Sequence, residues 1–268
     1  MRVSILFLLG GCLAAGFTQA QSFRGVGLRL GGNLGAGSFN TLEYLVQPGV
    51  DYSYGRSALP GFQVGVAATF GRGHWAVQPG LIFTQKGLKQ HFSESATDKA
   101  SGYAYRGSFN TSSHVNYLEL PLNVVYSLGA KGEGLQLFAG PFLAVGVGGR
   151  ASFDLELVTT DPSFESPHTE DGTTPMLFGN RFSNDPPAST PSVDYEARAR
   201  RIDAGLNFGV GYRRGPVQAQ LGYGLGLLNV QPGLPTDYQP SPDEVISDKG
   251  YLRTAQLTIT YYFPLGGR

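Results

Sequence analysis

The sequence is nearly without cysteine, since Cys12 is the only one among 268 residues. One thiol excludes an intrachain disulfide and any Cys-based zinc site. Charge is scarce too: charged residues make up 15 %, against the rough quarter usual in soluble domains. The 20 Lys+Arg balance the 20 Asp+Glu, which argues against a basic nucleic-acid binder and against an acidic solvating chain. Beyond the first twenty residues there is no run of ~18 apolar residues, so no later segment spans a membrane as a helix. Such a chain is either soluble or crosses a membrane as β-strands.

Glycine and aromatic residues take the place of charge. The 39 glycines are about twice the usual share of roughly 7 %, and Phe, Trp and Tyr supply 12 % of the chain. No Gly-X-Y register exists, which excludes collagen, and the aromatic content excludes a disordered linker. The length fits one domain, or one domain behind a targeting segment.

Residues 1–20 read as a secretory signal peptide. Met1-Arg2 forms a short positive region, Val3 to Leu9 an apolar stretch, and Thr18-Gln19-Ala20 a small-residue cleavage site ahead of Gln21. Two other readings stay open: a buried N-terminal helix, and a lipoprotein signal in which Leu9-Gly10-Gly11-Cys12 presents Cys12 for acylation. Cleavage after Ala20 leaves a mature domain, 21–268, without cysteine.

From Arg24 onward, apolar side chains recur at every second position with Gly, Gln, Asn or Thr between them. Eight such runs fall at about 25–33, 62–70, 75–84, 117–126, 135–148, 202–212, 217–227 and 254–263. Val217, Ala219, Leu221, Tyr223 and Leu225, for example, alternate with Gln218, Gln220, Gly222 and Gly224. The fifth run is less regular, because Phe138 and Phe142 break its pattern. Runs of about 9 to 12 residues match a tilted strand crossing the hydrocarbon layer and exceed the ~5 to 6 of ordinary strands. Short links alternate with long ones, the long ones being about 34–60, 89–112, 151–201 and 229–251. The pattern predicts an all-β fold, an eight-stranded antiparallel up-and-down transmembrane β-barrel with long extracellular loops.

Alternation is shared by soluble barrels, which differ in the face they turn outward. An aromatic girdle decides for the membrane: Phe70, Trp75, Tyr126, Tyr212, Tyr261 and Phe263 lie on the apolar register at the short-turn ends of the strands. The other register, rich in Gly, Gln, Asn and Thr, suits a narrow polar lumen. Eight strands leave an interior just filled by side chains, so the barrel is not an open pore. Arg29 and Glu119 fall on the lumen register and are expected in an internal salt-bridge network, whereas Lys86, Asp203 and Arg213 are expected at hydrated rims.

Several segments resemble the outer-membrane β-barrel family typical of Bacteroidetes, including the PorT-like proteins. They are Gly27-Leu-Arg-Leu-Gly-Gly-Asn33, Val77-Gln-Pro-Gly-Leu-Ile-Phe-Thr-Gln-Lys-Gly87, Asn116-Tyr-Leu-Glu-Leu-Pro-Leu122, Phe138-Ala-Gly-Pro-Phe142, Asp203-Ala-Gly-Leu-Asn-Phe-Gly209 and Leu257-Thr-Ile-Thr-Tyr-Tyr-Phe263. The resemblance implies a Gram-negative outer-membrane location and contact with outer-membrane lipid. It also implies insertion by the barrel assembly machinery, aided by the terminal aromatic strand; here Pro264-Leu-Gly-Gly-Arg268 follows Phe263. Some relatives are associated with protein secretion and gliding.

Chemistry-bearing motifs are absent: no zincin, nucleophile-elbow or P-loop signature occurs. His74 sits beside Trp75 at a short turn, where an interface residue is expected. His91 and His114 flank the second long loop, with Ser93, Ser95, Asp98, Ser112 and Ser113 near them in sequence. The third long loop is acidic, but its carboxylates lack metal-ligand spacing, and its six prolines between Pro162 and Pro191 point to an extended or mobile segment. The expectation is therefore a non-enzymatic outer-membrane barrel, without cofactor or metal and without nucleic acid. Its role is structural or interactive, with protein partners at the loops, in secretion or adhesion. The alternatives are a rim-located acyltransferase or protease and a soluble periplasmic ligand-carrying barrel.

Overall fold

The computed structural model describes residues 22–39, 49–183, 196–233, 236 and 249–263. The expected signal peptide, Cys12 and the tail after Phe263 lie outside the described residues. Among the described residues eleven strands follow one another: β1 (Ser22–Phe39), β2 (Val50–Arg72), β3 (Trp75–Thr97), β4 (Ala104–Ser127), β5 (Gly134–Thr159), β6 (His168–Pro175), β7 (Leu177–Phe178), β8 (Arg198–Ala199), β9 (Ile202–Arg214), β10 (Val217–Gly226) and β11 (Gly250–Tyr262). A 3-10 turn, Ala130–Gly132, links β4 to β5. Eight of the strands close a ring in the order β1-β2-β3-β4-β5-β9-β10-β11, every neighbour antiparallel. Closure matters because a ring pairs the backbone N–H and C=O groups without help from water.

Six of the eight sequence runs lie inside these eight strands, and the runs at 217–227 and 254–263 pass the ends of β10 and β11 by one residue each. The β9–β10 turn is tight because Gly215 takes φ of 58°, a left-handed conformation that a side chain disfavours. Both chain ends of the ring come to this short-turn end, where Ser22 pairs with Gly71 and Gly27 with Tyr262.

The faces divide as a membrane barrel requires. Leu30, Leu221, Leu257 and Ile259 are each more than half exposed, while Thr260, Gln218 and Asp203 are fully buried inside the ring. A water-soluble barrel would turn these around, so the ligand-carrying alternative loses its footing. Two apolar exceptions explain the irregular fifth run: Phe138 and Phe142 point inward and are buried. The Phe138 ring lies where a Cβ on Gly209 or Gly222 would stand 2.8 Å from its Cζ, so two lumen glycines make room for one ring.

The expected long loops at 34–60 and 89–112 are largely strand instead, and the one at 151–201 contains the end of β5 and the strands β6, β7 and β8. β3 runs on from 88 to 97 and β5 from 150 to 159, ten residues each and roughly 30 Å at ~3.3 Å per residue. β9, β10 and β11 have 13, 10 and 13 residues and stop short. One side of the barrel therefore rises as an open sheet of β2, β3, β4 and β5, with β6 added beside β5.

Chemistry inverts along this wall. In β3 the outward residues change from Leu81 and Phe83 to Lys89, His91, Ser93 and Ser95, while the inward ones change from Thr84 and Lys86 to Leu88 and Phe92. Phe109 and Phe153 continue the inward apolar row, with ring centroids 6.0 Å apart. Below the change the outer face suits hydrocarbon; above it the outer face suits water. Two irregularities coincide with the boundary, a register shift between Ala58 and Gln63 in β2 and another opposite Asn116 and Tyr117 in β5. Each bulge shifts the inward parity of its strand by one residue.

Candidate functional site

The lumen is built in tiers, starting at the short-turn end. Gln136 donates to Ser127 Oγ at 3.0 Å and accepts from Gln218 Nε2 at 2.5 Å. Gln218 Oε1 in turn accepts from the Tyr262 hydroxyl at 2.8 Å. Outside the wall at this level the structure places the six expected aromatic residues, with Trp75 against Tyr126 at 4.9 Å and Tyr261 against Phe263 at 5.8 Å. Phe70 stacks with Phe23 at 5.2 Å, and Tyr212 is exposed. His74 joins them, its ring 5.8 Å from Tyr126 and its Nδ1 2.7 Å from the Ser127 carbonyl.

Arg29 occupies the middle tier, held by neutral partners. Its Nε donates to Thr260 Oγ1 at 3.0 Å and its Nη2 to Gln220 Oε1 at 2.8 Å. Arg29 and Glu119 line one small cavity with Asn123, Phe138 and Gln220, of about 10 Å³, room for about one water.

Glu119 finds its counter-charge elsewhere. Lys86 Nζ lies 2.7 Å from Glu119 Oε2 and 3.6 Å from Asp203 Oδ2. Asn207 donates to the other Glu119 oxygen at 3.3 Å, accepts from Gln256 at 3.4 Å, and Gln256 accepts from Gln63 at 3.0 Å. Lys86 and Asp203 are thus buried lumen residues and not rim residues, a correction with a plain cause. Each side chain is on the inward register of a strand that continues past the mouth or abuts its cover. Arg213 does lie at the short-turn end, over the Tyr262 ring at 4.3 Å.

An apolar cover closes the other end. Met176, Ala197, Ala199 and Val230 pack with Val115, Tyr117, Phe142, Ala144, Ala151 and Leu252, and Phe178 rests against the cluster. Lys86 faces two of these rings, 4.4 Å from the Phe142 centroid and 5.5 Å from that of Tyr117. β7 and β8 pair in parallel within the cover, and Leu177 N donates to Ala197 O at 2.8 Å. The proline-rich segment expected to be extended therefore contributes a packed cover at 176–178 and the paired strand β6 at 168–175. Apolar residues at alternating or isolated positions in a loop give little sign of such packing.

The histidines of the enzyme alternative do not converge. His91 Nδ1 is 2.7 Å from Asn110 Oδ1, and His114 Nε2 is 3.3 Å from the Pro60 carbonyl, several residues lower on the same outer face. Among the described residues no three His, Cys, Asp or Glu are grouped to hold a metal ion.

The family known as the outer membrane protein β-barrel domain matches residues 19–231. The chain belongs to that family. It is an outer-membrane protein, and the outward apolar band described above is the part that meets lipid. Comparison with curated proteins gives no match. Among solved structures, it is similar to Ail, the attachment invasion locus protein of Yersinia pestis, in complex with the heparin analogue sucrose octasulfate. The identity there is 11 %, over 89 % of this chain and 97 % of that one, with a TM-score of 0.33. Neisserial surface protein A is similar at 10 % identity over 91 % and 100 %, TM-score 0.36. The translocator domain of the autotransporter NalP from Neisseria meningitidis follows at 12 % over 98 % and 96 %, TM-score 0.25.

Proposed function

We propose that this outer-membrane barrel is a closed, non-enzymatic scaffold that holds a rigid sheet outside the cell as an interaction surface. The observation that carries the reading is the continuation of β2 to β5 above the lipid band, with their faces inverted. Strands paired residue for residue hold their outward side chains in fixed positions, as a binding surface needs. The lumen supports the closed state: its polar ladder, with Arg29 in the middle tier and Glu119 in the upper one, is filled, and the cover above it is apolar. In this reading the six aromatic residues anchor the periplasmic interface, residues 1–20 direct export, and β11, ending at Tyr261-Tyr262-Phe263, engages the assembly machinery.

The finer resemblance to PorT-like proteins, and with it a role in secretion or adhesion, rests on the six quoted motifs. Polar residues of three of them meet, in the lumen as Lys86 with Glu119, Asp203 with Lys86 and Asn207 with Glu119, and on the outward register as Gln85 with Asn116 at 3.2 Å. The test shortens the β3–β4 hairpin by removing 88–113 in favour of a two-residue turn. The variant is expected to insert as a folded barrel, to show no ion conductance in planar bilayers, and to lose the crosslinks that the full protein makes on intact cells. Unchanged crosslinks would sink the surface role.

A further inference from the structure

The sheet above the membrane has a margin that the barrel lacks. From Gly134 to Val145, β5 is paired with β9 as well as β4. From Arg150 to Leu157 its second partner is β6, and β6 has no further strand beside it among the described residues. A closed ring leaves no margin, whereas a terminal strand offers a row of backbone N–H and C=O groups to any extended chain.

The charge around this margin is mainly acidic, with Arg150 at its lower end opposite Pro175. Between 151 and 175 the sequence carries Asp154, Glu156, Asp161, Glu165, Glu170 and Asp171, and no Lys or Arg. Asp154 stands opposite Asp171 in the β5–β6 register, and both are exposed. Like charges placed directly opposite weaken a strand pair. Their nearby polar neighbour is neutral, the Asn110 amide, 3.5 Å from Asp154 Oδ1. Edge strands are usually guarded against pairing by lysine or a bulge; carboxylates guard this one against acidic strands and against the same edge of a second copy. They favour a cationic strand.

We propose that the β6 edge is a docking site for an extended, Lys- or Arg-rich segment of a partner protein, which adds to the sheet as its next strand. Backbone hydrogen bonds to 168–175 supply the pairing, and the cationic side chains meet Asp171, with Asp154 and Glu156 one strand further in. This rests on the sheet being an interaction surface.

The test uses the full protein folded in lipid vesicles and fluorescent peptides of about ten residues, alternating Lys with Val or Glu with Val. Two further Lys peptides carry N-methyl groups at alternate positions, one set on each edge of the extended chain. The Lys peptide is expected to bind and the Glu peptide to fail. N-methylation should abolish binding in one phase and spare it in the other, and photo-crosslinks should fall within 168–175. Asp154→Asn, Glu156→Gln and Asp171→Asn together should weaken binding at least about tenfold, several exposed charge pairs acting at once. That variant must retain the heat-dependent gel shift of a folded barrel. Equal binding of both N-methylated peptides, crosslinks on β2 instead, or undiminished binding to the triple variant would each overturn the proposal. If the peptides fail while the shortened hairpin still loses its cell-surface crosslinks, the edge is excluded and the surface role stands.

Discussion

Lys86 Nζ lies 2.7 Å from Glu119 Oε2 inside the barrel, and the two come from adjacent strands, β3 and β4. Asp203, buried and 3.6 Å from the same ammonium, makes the group a cation shared by two carboxylates. Removing Lys86 leaves both carboxylates facing each other without a counter-charge. Lys86→Met should therefore cost about 3 to 5 kcal/mol, the penalty typical of an orphaned buried charge. Glu119→Gln should cost less, because Asp203 still pairs with Lys86. Urea unfolding in lipid vesicles reads both, and the double variant should cost less than the sum of the singles.

Phe138 fills the space that Gly209 and Gly222 leave open. Phe138→Ala should destabilise by about 3 to 5 kcal/mol through lost burial and a cavity. Gly222→Val should be harmful in the native chain, where its Cβ would stand 2.8 Å from Phe138 Cζ, and milder in the Phe138→Ala background. Equal cost in both backgrounds would show that the ring is not what the glycine accommodates.

On the outer face, Leu221 lies midway along β10, in the exposed apolar band that meets lipid. Leu221→Arg should cost ~2 to 4 kcal/mol, the range for a cation at the bilayer midplane. Val158→Arg, on the water-facing side of the raised sheet, should stay within ~0.5 kcal/mol. The same unfolding assay compares them.

The turn between β3 and β4 carries a pH dependence. Asp98 accepts hydrogen bonds from the Ser101 hydroxyl at 2.6 Å and from the backbone N–H groups of Ala100 and Ser101, which hold its carboxyl below the ordinary range. A depressed carboxyl contributes its full stability above the ordinary value near ~4 and loses it as pH falls through the lower folded value. Amide exchange protection at Gly102, which donates to the Asp98 carbonyl at 2.8 Å, should be level near neutrality and decline only at acid pH. In Asp98→Asn that decline should vanish.

How much of this was legible in the sequence depended on one assumption, that polarity alternates in a fixed sense. Within the lipid band it does, apart from the inward Phe138 and Phe142 of β5. Above the band the sense inverts, so Phe92, Phe109 and Phe153 appear among serines and acids as loop residues. Bulges in β2 and β5 shift the phase at the same level and hide the continuity further. Glu119 was identifiable as a lumen charge, but its partner was not Arg29. The pairing depends on which residues stand across from one another, and the β3–β4 register puts Glu119 opposite Ile82, within reach of Lys86. The cover over the mouth, with Met176, Ala197 and Val230, leaves no periodic trace at all.

The central claim is that one continuous wall passes from lipid to water with its outward face changing chemistry at Phe83. Spin labels placed singly on the outward register of β3, at Val77, Leu81, Phe83, Lys89, His91 and Ser93, test it most directly in lipid vesicles. Oxygen dissolved in lipid is expected to relax the labels at the first three positions, and a water-soluble nickel complex to take over from Lys89 onward. Aqueous access at all six positions, or lipid access that continues to Ser93, would contradict it.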